Sequence, residues 1–110
     1  MKIIITSTGD KFDDLLDEEF GHCAYFILYD TETETFKAIP NEGHTVEMGA
    51  GIYAAELAVK LGAEVVITGW MGPHGQKKLL ANNIRIIMDE EGTIREAVER
   101  YRKKHLKKPL

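Results

Sequence analysis

The chain has 110 residues, of which 44% are hydrophobic and 29% are charged, and its formal net charge is -4. This length suits one domain and is too short for two independently stable cores, so residues 1–110 are predicted to form a single domain. The negative net charge disfavours a nucleic-acid-binding function, because phosphate binding depends on clustered Lys and Arg. With no signal-peptide pattern and no apolar run near the roughly 20 residues of a membrane span, we expect a cytoplasmic protein without a membrane partner.

Three strands are predicted in the first forty residues. Lys2–Ser7 is β-branched and apolar on both faces, as expected in the middle of a sheet. The acidic stretch 11–19 is predicted to be a solvated loop. Ala24–Asp30 and Thr35–Ile39 have strand character on either side of a turn, and Pro40 ends the second of them, so the two are predicted to form an antiparallel hairpin.

Helical and strand patterns then alternate to the end of the chain. The first helix begins near Ile52, has an alanine-rich stripe and stops at Gly62. The last helix opens with a capping box at Thr93–Glu96. Between them the pattern predicts a strand at Glu64–Thr68, a helix from Pro73 to about Asn83 and a strand at Ile84–Met88.

This order, βββαβαβα, predicts an α/β fold with a mixed five-stranded sheet and three helices. Right-handed crossovers between the later parallel strands favour the spatial order 3-2-1-4-5, with strand 2 antiparallel to its neighbours. This is the ribonuclease H-like arrangement. One edge of such a sheet collects the carboxyl ends of strands 1, 3 and 4, which is where open α/β sheets usually bind ligands.

Several candidate metal ligands are predicted to meet at that edge, where the loops bring His22, Cys23, His44 and His74. Imidazole and thiolate suit iron, copper or zinc rather than magnesium or calcium. His105, near the end of the last helix, should lie at the opposite edge.

The loop before the first helix adds a candidate anion site. Gly49 and Gly51 allow close approach of the backbone, and the start of the helix presents free N–H groups with partial positive charge. Structural interpretations stay open for these residues: a tight helix start for the glycines, surface histidines, and a small buried side chain for Cys23. Met48 and Met71 are interpreted as packing residues.

Catalysis is disfavoured by what the strands lack. A ribonuclease H-like nuclease needs carboxylates on its first strand and near its fourth to hold two metal ions, and Lys2–Ser7 and Val65–Gly69 contain none. Cys23 and His74 could form a nucleophile pair, but no orienting or oxyanion partner is recognisable. We therefore expect that the protein is not an enzyme.

Three segments in order resemble one family over nearly the whole chain. The segment Glu19–Phe26 (EFGHCAYF) resembles its "HFGR-A-x-F" motif, with Glu19 at the position often occupied by His. Gly49–Gly51 resembles its glycine-rich helix start, and Val66–Pro73 (VITGWMGP) resembles its "VITGxxGP" motif. The family is that of the dinitrogenase iron-molybdenum cofactor biosynthesis proteins.

The resemblance implies a ribonuclease H-like fold and a role in holding iron–sulfur or molybdenum-containing clusters in transit between donor and acceptor proteins. On this interpretation the cluster sits at the strand-end edge, contacted by Cys23 or by one or more of His22, His44 and His74, with the amides of Gly49–Gly51 accommodating its charge. The alternative is a binding module that uses the same crevice for a small anion or a protein partner without any metal.

Overall fold

The computed structural model describes residues 1–45 and 48–105. In chain order its elements are β1 (Lys2–Ser7), β2 (Tyr25–Asp30), β3 (Thr35–Pro40), α1 (Ala50–Lys60), β4 (Val65–Ile67), α2 (Pro73–Ala81), β5 (Arg85–Ile87) and α3 (Ile94–His105). All eight predicted elements are present, and their ends differ from the predicted ones by at most two residues.

The five strands form one sheet in the order β3-β2-β1-β4-β5. In the middle of the sheet, Ile4 of β1 lies opposite Leu28 in the antiparallel pair with β2 and opposite Val66 in the parallel pair with β4. β3 is antiparallel to β2, and β5 is parallel to β4. The predicted strand order and the reversed direction of strand 2 are confirmed, and both are consistent with a ribonuclease H-like arrangement.

Alternate residues of β1 contribute to different faces, which explains its continuous apolar run. Ile4 packs into the cluster formed with α1 and α2, whereas Ile3 and Ile5 pack into the cluster formed with α3. The predicted inward-facing residues are buried except for Leu61, which lies just after α1, is half-buried and packs against the same core; the buried ones are Ala54, Ala55 and Ala58 of α1, and Ile94, Ala97, Val98 and Tyr101 of α3.

The sequence signals that mark the end of α1 and the start of α3 adopt the predicted local structure. Gly62, just after α1, has a left-handed backbone with φ of 74°. At the start of α3 the Thr93 amide donates to Glu96 Oε1 at 2.9 Å, and the Glu96 amide donates to Thr93 Oγ1 at 3.1 Å. The reciprocal pair satisfies two amides that the helix cannot bond internally.

The acidic stretch is tied to the fold more closely than its composition indicates. Leu16 is buried and pairs with Ser7 at the end of β1, and its amide donates to the Gly92 carbonyl at 2.8 Å. Leu15 forms an isolated bridge with Thr93. The stretch therefore joins the end of β1 to the start of α3, while its carboxylates lie at the surface.

Within residues 1–45 and 48–105, none of the helices has the length and apolar character that crossing a membrane requires.

Candidate functional site

A crevice of about 420 Å³ opens where α1 and α2 begin. It lies beyond the carboxyl end of β4, because the segment between β4 and α2 forms one wall, and the segment that precedes β2 forms another. The lining residues are Glu19, Phe20, Gly21, His22, Gly49, Gly51, Ile52, Trp70, Met71, Gly72, Pro73, His74 and Gly75. A cavity of this size falls in the range of small-ligand sites.

Both helices that begin at the crevice lack a side-chain cap. α1 follows Gly49, whose φ of 82° is a left-handed conformation that favours glycine, and α2 follows Gly72 with Pro73 in its first turn. Since no capping side chain accepts from their first N–H groups, both helix starts can offer amides and partial positive charge to a ligand. Two such starts at one crevice favour a compact anion.

Two glycines, which have no side chain, allow the crevice walls to pack closely. A Cβ on Gly21 would lie 2.8 Å from the backbone nitrogen of Gly51 and 2.9 Å from the carbonyl carbon of Ala50. A Cβ on Gly75 would lie 3.2 Å from Met71 Cγ. The segment before β2 therefore rests directly on the first turn of α1, which positions His22 beside the helix start.

Two of the predicted histidines, His22 and His74, line the crevice and are exposed. His22 Nδ1 lies 3.1 Å from the carbonyl oxygen of His44. Because a carbonyl oxygen only accepts hydrogen bonds, Nδ1 carries the proton in this contact, and Nε2 is left to accept a proton or to bind a metal. The predicted glycines Gly49 and Gly51 also line the crevice.

The other two predicted ligands do not line it. His44 supports His22 through its backbone carbonyl, and its own Nδ1 lies 2.9 Å from the Asn41 carbonyl oxygen. Cys23 is fully buried in the core between the sheet and α1, and its thiol donates to the Phe20 carbonyl at 3.5 Å. Burial, followed by the charge of Asp17, raises the pKa of the Cys23 thiol to about 12.

The expected meeting of one thiol and three imidazoles is therefore corrected by the structure. Cys23 lies two residues before the start of β2, and its side chain is buried in the core, whereas that of its neighbour His22 is exposed at the crevice. In the described part of the chain, no three His, Cys, Asp or Glu side chains come close enough together to hold a metal ion. His105 contacts Arg85 and stacks on Tyr101, away from the crevice.

Apolar side chains supply much of the crevice wall. Phe20 and Met71 are buried, which confirms the packing interpretation of Met71, whereas Ile52 and Trp70 are 43% and 58% exposed at the mouth. Met48, also expected to pack, is 87% exposed. Glu19 pairs with Trp70, which joins two wall segments far apart in sequence, and no local sequence pattern indicates this pairing.

Comparison with known proteins agrees with this arrangement. No curated protein sequence matches the chain. The apo form of the orange protein from Desulfovibrio gigas is 36% identical, superposes with a TM-score of 0.90, and the match covers 94% of this chain and 88% of that one. A NifB-like protein from Thermotoga is 25% identical with a TM-score of 0.81, and the match covers 93% and 87%.

The family model for dinitrogenase iron-molybdenum cofactor proteins matches residues 1–104, which include every element of the sheet and all the crevice residues. The chain therefore belongs to the dinitrogenase iron-molybdenum cofactor family.

Proposed function

We propose that the protein is a non-enzymatic carrier of an anionic iron–sulfur or molybdenum-containing cluster, which it binds in the crevice and passes between donor and acceptor proteins. The observation that carries this proposal is the meeting of two uncapped helix starts, α1 and α2, at a glycine-lined crevice in a chain of this family. The relative from Desulfovibrio gigas was solved as an apo form, a term for a protein without a group that it otherwise binds.

The donor set of the crevice favours a cluster that keeps its own sulfide ligands. His22 and His74 supply two imidazoles, and the buried, protonated Cys23 thiol is not a lining residue. With so few side-chain ligands, the amides at the two helix starts would supply much of the attraction, as hydrogen bonds to the anion. A weakly ligated cargo can leave again, which a carrier requires.

The lining residues also support the absence of catalysis. Glu19 is the one carboxylate among the described lining residues, and these residues therefore offer no pair of carboxylates for two-metal hydrolysis or for acid–base work. The apolar wall of Phe20, Ile52, Trp70 and Met71 would limit the access of water to a labile cargo.

A second candidate, a module for a small oxyanion or a protein partner without metal, is favoured by the same uncapped helix starts, since amides bind phosphate or sulfate as readily as sulfide. The two candidates differ in cargo rather than in place, so one experiment can separate them.

The experiment is an anaerobic titration of the full chain with tetrathiomolybdate and, separately, with a synthetic [4Fe–4S] cluster. After gel filtration, retained metal is measured by elemental analysis and by charge-transfer absorption. The carrier hypothesis predicts retention of at least one of the two probes in the presence of excess sulfate and phosphate. If neither probe is retained, or if either oxyanion displaces it completely, the cluster hypothesis is contradicted.

Gly51 offers a matched pair of variants for this titration. A Cβ at this position meets no atom within 4 Å, so we expect both Gly51→Asn and Gly51→Asp to fold. The two differ by one negative charge, which would repel an anion at the helix start. We expect Gly51→Asp to bind at least tenfold more weakly than Gly51→Asn, which is about 1.4 kcal/mol.

Histidine variants test the imidazoles. The double variant His22→Ala, His74→Ala should lose about tenfold in affinity, whereas His105→Ala should change it less than twofold, because His105 is not a lining residue. An equal loss of affinity in the double variant and in His105→Ala would show that the imidazoles of the crevice have no special role.

A further inference from the structure

A groove lies beside α3, because this one helix covers a face of the sheet that is wider than itself. Five strands spaced about 4.8 Å apart span roughly 19 Å between the outer strands, whereas a helix with its side chains is about 10 Å wide. On the β3 side the ring of Phe12 fills the remaining space by stacking on Tyr29 and Phe36. On the β5 side a groove of about 510 Å³ remains open.

This groove, called the α3–β5 groove below, has an apolar floor and a cationic rim. Ile67, Ile87 and Tyr101 line it together with Arg85, Lys104 and His105. A second cavity of about 320 Å³ is lined by the same Arg85, Tyr101 and His105. The two cavities therefore meet at the contact between Arg85 Nη1 and His105 Nδ1, which are 3.2 Å apart.

The rim is cationic although the whole chain carries a net charge of -4. Two further lining residues of opposite charge, Arg100 and Glu90, bond to each other at 3.0 Å, and Arg100 also bonds to the Glu91 carbonyl. Among the described residues, Arg85 and Lys104 make no ion pair with a carboxylate, although both are exposed. Their charges are available to an acidic ligand.

The edge strand β5 forms one side of the groove and has a backbone that can receive another strand. Within residues 1–45 and 48–105 it pairs with β4 alone. The Arg85 amide donates to the Glu64 carbonyl and the Ile87 carbonyl accepts from the Thr68 amide, so both residues bond toward β4. Because alternate residues of a strand bond to opposite sides, the N–H and C=O of Ile86 face outward.

We propose that the α3–β5 groove is a docking site for an extended acidic segment of a partner protein, which pairs with the free edge of β5 and places its carboxylates on Arg85 and Lys104. Strand addition of this kind takes affinity from the backbone and specificity from alternate side chains. The two cavities follow one another along β5, since one is lined by Asn83 and Arg85 and the other by Arg85 and Ile87, and this extended arrangement fits a chain better than a compact anion.

No residue lines both this groove and the crevice. A partner held at β5 would therefore leave the crevice open, as a donor or acceptor of cargo requires. The docking site can be tested on the protein without any cluster, so its failure is distinguishable from failure of the proposed carrier function.

The probe is a fluorescein-labelled peptide of ten residues that alternates Glu and Val, with a Lys–Val peptide as its control. Binding to the full chain is measured by fluorescence anisotropy at low salt. We expect the Glu–Val peptide to bind at least tenfold more tightly than the Lys–Val peptide and to shift the Ile86 amide resonance in an ¹⁵N spectrum. Equal binding of the two peptides, or no shift of that resonance, would overturn the proposal.

Charge-reversal variants locate the effect. Arg85→Glu with Lys104→Glu should weaken binding of the Glu–Val peptide at least tenfold. Lys60→Glu with Lys77→Glu makes the same change in net charge on α1 and α2 and should weaken it less than threefold. Equal weakening would reveal a general charge effect, and displacement of the peptide by pyrophosphate at equal concentration would reveal a small-anion site; either result contradicts docking of an extended segment.

Discussion

The substitution Gly21→Ala tests whether the segment before β2 rests on the first turn of α1. The new methyl group would lie 2.8 Å from Gly51 N and 2.9 Å from Ala50 C, whereas ordinary contacts begin at 3.4 Å. Both neighbours are backbone atoms, so the segment and the helix must separate by roughly half an ångström. Overpacking of this kind costs about 1–3 kcal/mol.

For a chain of 110 residues, a loss of about 2 kcal/mol lowers the melting temperature by roughly 10 °C. Urea unfolding followed by circular dichroism should show a lower midpoint with an unchanged slope. Gly51→Ala is the matched control, because its methyl group meets no atom within 4 Å and alanine is the better helix former, so this variant should gain up to about 1 kcal/mol. An unchanged midpoint in Gly21→Ala would refute the close packing at the crevice.

Three further predictions concern Cys23 and the start of α3. The buried Cys23 thiol should resist iodoacetamide at pH 8 in the folded protein and react once urea unfolds the chain. Its folded pKa of about 12 lies above the value of 9.0 for a free thiol, so its stabilising effect is complete below pH 9 and is lost as the pH rises toward 12. Between pH 8 and 10.5 the unfolding free energy should therefore fall more steeply for the natural chain than for Cys23→Ala, by up to about 1.4 kcal/mol per pH unit; equal slopes would contradict burial of the thiol. Thr93→Ala removes the hydroxyl that accepts from the Glu96 amide and should cost about 1 kcal/mol in urea unfolding, and an unchanged midpoint would show that the capping box contributes nothing.

The fold was predictable because its signals are local and agree with one another. Three elements could each be identified from nearby residues alone, by the β-branched run of β1, the hairpin that ends at Pro40 and the capping box at Thr93. Once the elements are ordered, the handedness of crossovers leaves few sheet orders, and the predicted one is observed.

The side chains that line the crevice were less predictable than the fold, because their identity depends on the direction in which each side chain points. His22 and Cys23 are neighbours, and the sequence does not reveal which of the two faces the core at the start of a strand. His44 could be placed in the correct loop, but its ring bonds Asn41 while its carbonyl is the group that reaches His22. The predicted ligand roles of His22 and His74, like the single domain, stay predictions.

The α3–β5 groove could not be predicted from the sequence, for a different reason. The basic residues near the end of the chain are typical of the last turn of any helix, where they stabilise its dipole. Their placement opposite Arg85 follows from the crossing of α3 over the sheet, which no local pattern encodes.

Titration of ¹⁵N-labelled protein with tetrathiomolybdate will show whether an anionic cluster binds at the first turns of α1 and α2. We predict that the amide resonances of Gly51, Ile52, His74 and Gly75 shift together with one binding constant, while that of His105 stays unchanged. Shifts confined to residues outside the crevice, or none at all, would contradict it.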